Sequence, residues 1–175
     1  IAAHDDAEVL RLFREAPLPA DVVEALLGYL RTVGTPIAVR SSSLLEDSYG
    51  NAFAGKYESV FCANQGSHQK RLDDFIAAVK TIYASTLSEK ALRYREQRGL
   101  LDRDEQMSLL VQRVSGRRYG NHFFPQVAGV GLSKNPYVWN RLIDPSAGMV
   151  RLVFGLGTRA VDRSDDDYTR VGARN

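Results

Sequence analysis

The chain has 175 residues, 44% of them hydrophobic, and its 23 lysines and arginines nearly balance 21 aspartates and glutamates, for a formal net charge of +2. That is enough apolar material for one core or two small lobes around a cleft, and it argues against disorder. So small a charge gives no case for nucleic acid or an anionic membrane as the main partner, and no apolar run approaches the roughly 18 residues needed to span a bilayer. A single cysteine, Cys62, cannot form an internal disulfide and offers no zinc pattern, which fits a reducing compartment, with cytoplasm as the expectation. The acidic start IAAHDDAEVL is not a secretion signal. The absence of an initial Met and the plain ending VGARN suggest a piece of something longer.

In chain order, apolar residues recur at helical spacing from Asp6 to Ala16 and from Ala20 to Thr32, the second stripe being Val22, Val23, Leu26, Leu27 and Leu30. Gly34 and Pro36 end that helix, and PIAVR then reads as a short buried strand that delivers Arg40 to its end. KYESVFC alternates and is rich in aromatic and β-branched residues, so it predicts a strand. Leu72, Phe75, Ile76, Val79, Ile82 and Tyr83 mark an amphipathic helix between Gln69 and Ser85, and a basic helix follows from Ser88 to about Arg98. MSLLVQRV, QVAGVGLS and MVRLVFG predict three further strands, with SGRRYGNHFFP as a loop between the first two. Helices and one or two strands, then two helices, then three strands is an α+β order with a boundary near Arg103.

The stretch VRSSSLLEDSYGNAFAG places a permanently charged guanidinium and several hydroxyls at the end of a strand, a set able to hold phosphate oxygens by charge-assisted hydrogen bonds. Gly50 and Gly55 bracket a loop whose backbone can approach a ligand closely. On spacing alone a plainer reading competes, in which the serines form turns and Arg40 pairs with Glu46 or Asp47. The acidic run DRSDDDY reads better as a solvated loop than as a magnesium site, and neither the three histidines nor Cys62 forms a nucleophile and base arrangement.

Five blocks carry a family resemblance: IAVRSSSLLEDSYGNAFAGKYES; YASTLSEKALRYRE, with Ser85, Ala91, Tyr94 and Arg95; LLVQRVSG; QVAGVGLSKNP; and VFGLGTRAVD. In this order they resemble the N-terminal nucleotide-binding domain of phosphoenolpyruvate synthase and pyruvate phosphate dikinase, an ATP-grasp fold shared with rifampicin phosphotransferase and glucan, water dikinase, over about Pro19 to Asp167. The resemblance implies an ATP-grasp-like α+β pair of lobes with mixed or antiparallel sheets and packed helices, divided as 1–103 for the phosphate loop and 104–175 for the adenine hinge.

It further implies an ATP-dependent phosphotransferase that, in the full protein, moves a phosphoryl group to a histidine on a carrier domain, with ATP and magnesium as cofactors. Arg40, with Ser41, matches the arginine that contacts the ATP phosphates, and Phe53, Ala54 and Gly55 end the loop over them. Gln112, Arg113 and Val114 match the hinge strand whose backbone reads the adenine edge, although simple core packing also explains such a strand. Lys134 stands where many relatives have an arginine, as a cation for the nucleotide or for an incoming domain, or as a solvated turn residue. Lys56 replaces a common glutamine and Thr158 a usual glutamate, so the role of that glutamate does not transfer. The family's magnesium ligands, its Gln-x-Arg motif and its glycine-flanked lysine are expected outside this chain, which alone should not turn over. Two rivals are a regulatory nucleotide sensor of the same fold and a ligand-free interaction domain.

Overall fold

The computed structural model describes residues 5–46, 55–155, 157 and 170–173, the last four as backbone only. The chain divides into two compact units, 1–114 and 115–175. The first contains α1 (Asp6–Glu15), α2 (Ala20–Thr32), β1 (Ile37–Ser43), β2 (Ser59–Cys62), α3 (His68–Ser85), α4 (Glu89–Gln97) and β3 (Met107–Arg113). The division falls later than the boundary expected near Arg103, because β3 is zipped to β1 over seven residue pairs, from Ile37 opposite Arg113 to Ser43 opposite Met107.

The three strands form an antiparallel sheet in the order β2-β1-β3. Side chains alternate across a strand, and in β1 this sends Ile37, Val39 and Ser43 to one face, where all three are buried. Against them lies α3, whose Leu72, Phe75, Ala78, Val79 and Ile82 recur at three- and four-residue intervals and form a single buried stripe. Leu30 and Val33 from the end of α2, together with Val60, Cys62, Leu109 and Val111, complete this core. The Ser67 hydroxyl caps the start of α3 by accepting the Lys70 amide at 3.2 Å. Arg71, one turn on, donates to the Leu30 and Val33 carbonyls at 2.7 and 2.8 Å and to Asn64 Oδ1 at 2.6 Å, tying the end of α2 to the loop before α3. A guanidinium there also complements the negative end of the α2 dipole.

The second unit holds β4 (Arg117–Tyr119), β5 (His122–Phe124), β6 (Val127–Leu132), a 3-10 turn at Pro145–Ala147, β7 (Met149–Phe154) and β8 (Arg170–Ala173). Strands β6, β7 and β8 form an antiparallel sheet around β7. SGRRYGNHFFP, expected to be a loop, is a β-hairpin joining β4 to β5. Gly120 takes φ 59° at the first central position of its two-residue turn, as a type II′ hairpin requires, and Tyr119 stacks on Phe124 at 4.7 Å between ring centroids. The architecture is mixed α and β with antiparallel sheets and packed helices. No described helix is long and apolar enough to cross a membrane.

Candidate functional site

The strand that begins at Ile37 does not stop at Arg40. It continues through all three serines to Ser43, so Arg40 sits in the middle of the central strand of its sheet. Alternation places Arg40 on the face opposite Ile37 and Val39, together with Ala38 and Ser42. Register then fixes its neighbours: Ser59 of β2 on one side, Leu110 of β3 on the other, and Phe61 and Gln112 flanking Ala38 one step along. Directly opposed residues have Cβ atoms about 5 Å apart and diagonal ones about 7–8 Å. Arg40, Ser59 and Gln112 are therefore within reach of one ligand lying across the strands.

This face is open. Arg40, Ser59 and Gln112 are exposed, and the two large apolar residues beside them, Phe61 and Leu110, are 48% and 44% exposed. Among the described residues the Arg40 guanidinium makes no hydrogen bond or ion pair. Glu46, one of the two partners considered for it, is engaged elsewhere: its carboxylate accepts the Ser43 amide at 3.4 Å while the Ser43 hydroxyl accepts the Glu46 amide at 3.0 Å. The other, Asp47, lies outside the described residues, as do Phe53 and Ala54 of the expected phosphate loop.

The remaining expected residues divide by strand parity. Ser41 points to the helix side with Val39 and is half-buried, so it does not share a face with Arg40. Gly55 is exposed with φ 74°, a conformation that glycine adopts without strain. The Val114 amide donates to the Pro36 carbonyl at 2.8 Å, and the Leu44 amide to the Gln106 carbonyl at 3.0 Å, so the even-numbered residues of β3 bond inward to β1. Successive strand residues present their amide and carbonyl to opposite edges. Arg113 thus turns its N–H and C=O to the outer edge of β3, which no described strand of this sheet covers, whereas the Val114 amide is already used.

Lys134 belongs to the second unit, where it is exposed on the rim of an open depression of about 690 Å³ with Leu132, Ser133, Asn135 and Pro145. Asn135, beside it, is structural: its backbone N–H donates to the Pro145 carbonyl at 2.9 Å and its Oδ1 accepts the Tyr137 amide at 2.9 Å. Lys56 lies over the Tyr94 ring, with its Nζ 4.6 Å from the centroid, a cation–π contact rather than a free cation beside Gly55. Cys62 is buried, its thiol donates to the Asp74 carbonyl, and burial pushes its pKa up, the state of an inert thiol. Thr158 and the acidic run 162–168 lie outside the described residues.

Sequence reasoning missed Ser59. No residue-type signal marks it, and only the register opposite Arg40 brings its hydroxyl to this face. The Ala-x-x-Tyr-Arg motif of α4 proves to be internal support. Ala91 is fully buried, and Arg95 is buried with its Nη2 donating to the Arg103 carbonyl at 2.8 Å and, more weakly, to that of Leu101 at 3.4 Å.

Comparison with known proteins shows the family of the chain. The family model described as pyruvate phosphate dikinase, AMP/ATP-binding domain, matches residues 2–175. Rifampicin phosphotransferase of Bacillus subtilis is 29% identical over 157 residues, covering 88% of this chain and 16% of the relative. The Streptomyces sviceus enzyme of the same name is 28% identical over 157 residues, 89% of this chain and 16% of its own length. Phosphoenolpyruvate synthase of Aeropyrum pernix is 30% identical over 119 residues, 63% of this chain and 14% of the relative. The chain thus spans about one sixth or less of the length of these relatives. Its sequence matches the family model from Ala2 to its last residue, and the chain belongs to the pyruvate phosphate dikinase AMP/ATP-binding domain family.

Proposed function

We propose that the open face of the β2-β1-β3 sheet is the phosphate-holding wall of an ATP site in an ATP-grasp domain. The chain is then the nucleotide-binding part of a phosphotransferase akin to phosphoenolpyruvate synthase and pyruvate phosphate dikinase. In the whole protein this part serves the transfer of a phosphoryl group from ATP to a histidine on a carrier domain. The observation that carries the reading is Arg40: a guanidinium on the central strand, with no partner among the described residues, between a hydroxyl and a carboxamide on one exposed face.

Such a guanidinium has a definite use. The strand holds its Cα in place, so little rearrangement is needed when a polyphosphate arrives, and a planar donor fork matches two phosphate oxygens at once. As the γ-phosphoryl group leaves, charge spreads over its oxygens and the bridging oxygen, and a fixed cation stabilises that distribution more than it stabilises bound ATP. Ser59 and Gln112 add neutral donors on either side, and the exposed N–H and C=O of Arg113 supply the donor and acceptor pair that an adenine edge needs. Lys134, exposed in the second unit, is a further candidate cation for an incoming domain. Among the described residues no three His, Cys, Asp or Glu side chains converge as metal ligands. The magnesium that this chemistry uses is expected to be held mainly outside this chain, and the part of the described residues is to bind and orient the phosphates. The lone buried cysteine fits a cytoplasmic setting.

The test is a titration of the isotopically labelled protein with ATP, followed through backbone amide shifts. The largest changes are expected at Ala38, Arg40, Ser59, Gln112 and Arg113. Changes confined to the α3 side, or none at millimolar ATP, would rule the reading out.

A further inference from the structure

The residue that matters here belongs to no motif. Glu105 precedes β3, just beyond the last backbone bond of the β1–β3 ladder, that between Leu44 and Gln106. Its carboxylate has two oxygens, and each takes a donor from a different stretch of chain. Oε1 accepts the Leu45 amide at 3.3 Å, and Oε2 accepts the Tyr57 hydroxyl in a short hydrogen bond. Leu45 follows the end of β1, five residues after Arg40, and Tyr57 lies two residues after Gly55. One side chain, sixty positions from Leu45 in sequence, therefore joins the chain as it leaves Arg40 to the chain as it returns past Gly55.

The surroundings favour this arrangement. Leu45, Tyr57 and Ala91 are buried together, with Tyr94, Leu100 and Met107 packed around them, so both donors are held where water competes poorly. Burial first, and then the bond to Glu105, hold the Tyr57 phenol well above its ordinary pKa, although Arg95 and Ser43 pull the other way. The phenol accordingly remains an O–H donor at any physiological pH. Arg95 fixes the approach to Glu105 by holding the carbonyls of Leu101 and Arg103. A route of direct contacts thus runs from the α4 motif through the 101–103 turn and Glu105 to Leu45 and Tyr57.

We propose that Glu105 is a positioning residue for the phosphate end of the nucleotide site: by gripping Leu45 and Tyr57 with one carboxylate it sets the placement of Gly55 relative to Arg40. It touches no nucleotide. This inference rests on the ATP-binding reading above, and its consequence is that a residue outside the open face governs affinity for the phosphates.

The experiment uses the intact protein and four variants, Glu105→Ala, Glu105→Gln, Tyr57→Phe and Arg40→Ala, with two independent readouts. Amide hydrogen exchange at Leu45 and in α3 needs no nucleotide, and calorimetry with a non-hydrolysable ATP analogue reads the site. Glu105→Ala is expected to speed exchange at Leu45 by about tenfold or more while α3 keeps its protection, and to weaken the analogue by about tenfold. Glu105→Gln, which keeps the shape and one acceptor, should recover part of both effects. Tyr57→Phe should weaken the analogue several-fold on its own and add little in the Glu105→Ala background, as expected for two groups in one contact. Should Glu105→Ala fail to fold, the glutamine and phenylalanine variants carry the same comparison.

Unchanged exchange at Leu45 would overturn the grip itself. Faster exchange with wild-type affinity, while Arg40→Ala still weakens binding, would overturn the positioning role and leave the ATP reading standing. Failure of the wild type to bind the analogue would overturn both, and that outcome is recognised because Arg40→Ala would then be indistinguishable from wild type.

Discussion

Two faces of one three-stranded sheet are built from alternate residues of the same seven-residue strand, and they obey opposite rules. On one, Ile37 and Val39 vanish beneath α3 and share a dry core with Phe75 and Ile82. On the other, Arg40 stands exposed in the middle of the strand, with Ser59 and Leu110 opposite it and Phe61 and Gln112 beside it. Stability is concentrated on the covered face, where burial contributes about 1.5–3 kcal/mol per large side chain. The open face spends an exposed central strand on a charge that packing does not need. The second unit has an exposed sheet face of a different composition, on which Val127, Val150, Leu152 and Phe154 of β6 and β7 lie together.

The contrast can be broken most forcefully from the covered side. Phe75→Ala should cost about 3–5 kcal/mol, read as a lowered urea midpoint, because Phe75 is almost fully buried against both the sheet and Tyr29. A loss under about 1 kcal/mol would mean that α3 does not anchor the sheet. Next in size is Arg71→Ala, which strips donors from the Leu30 and Val33 carbonyls and should destabilise by about 1–3 kcal/mol in the same assay. Smaller again is Ser67→Ala, at about 1 kcal/mol, through loss of the α3 cap. Open-face changes should behave differently. Ser59→Ala and Gln112→Ala are expected to leave unfolding within about 0.5 kcal/mol of wild type and to weaken ATP by about two- to tenfold each, the worth of a neutral hydrogen bond.

Alkaline titration sharpens the comparison at the end of the sheet. The Tyr57 phenol is raised in the folded state, so above the ordinary value near 10 the unfolded chain loses this proton first. Its contribution to stability is intact below that pH and is lost as pH rises above it toward the raised native value. Tyr57→Phe should flatten this alkaline limb in equilibrium unfolding, and an unchanged slope would contradict the buried, Glu105-bound phenol.

Most of the helical frame was legible in the sequence. The Leu72 to Ile82 stripe predicted α3 to within a residue, and α2 matched its spacing, because strongly periodic apolar residues leave few alternatives. The β4–β5 hairpin was not legible: its strands are three residues each and place arginines and aromatics on both faces, which hides the alternation, although Gly-Asn stood at the turn. Arg40 could be singled out as a candidate from its charge beside the serines together with the family resemblance, though not its place in the middle of the strand. Ser59 could not, and Gln112, expected as a hinge-strand residue, could not be placed beside Arg40, since both meet it only through strand register, a long-range property that no local window carries. For the same reason Ser41, adjacent in sequence, proves to lie on the other face, and Val114, adjacent to Arg113, has its amide already bonded to Pro36.

The claim at the centre is that the exposed guanidinium of Arg40 holds the phosphates of ATP. It is tested most directly by calorimetric titration of ATP into the wild-type protein and its Arg40→Ala variant, with unfolding curves for both. The account predicts a loss of about 1.5–3 kcal/mol in binding, roughly ten- to 150-fold in affinity, with stability unchanged within about 0.5 kcal/mol. Equal affinity in the two proteins would contradict it.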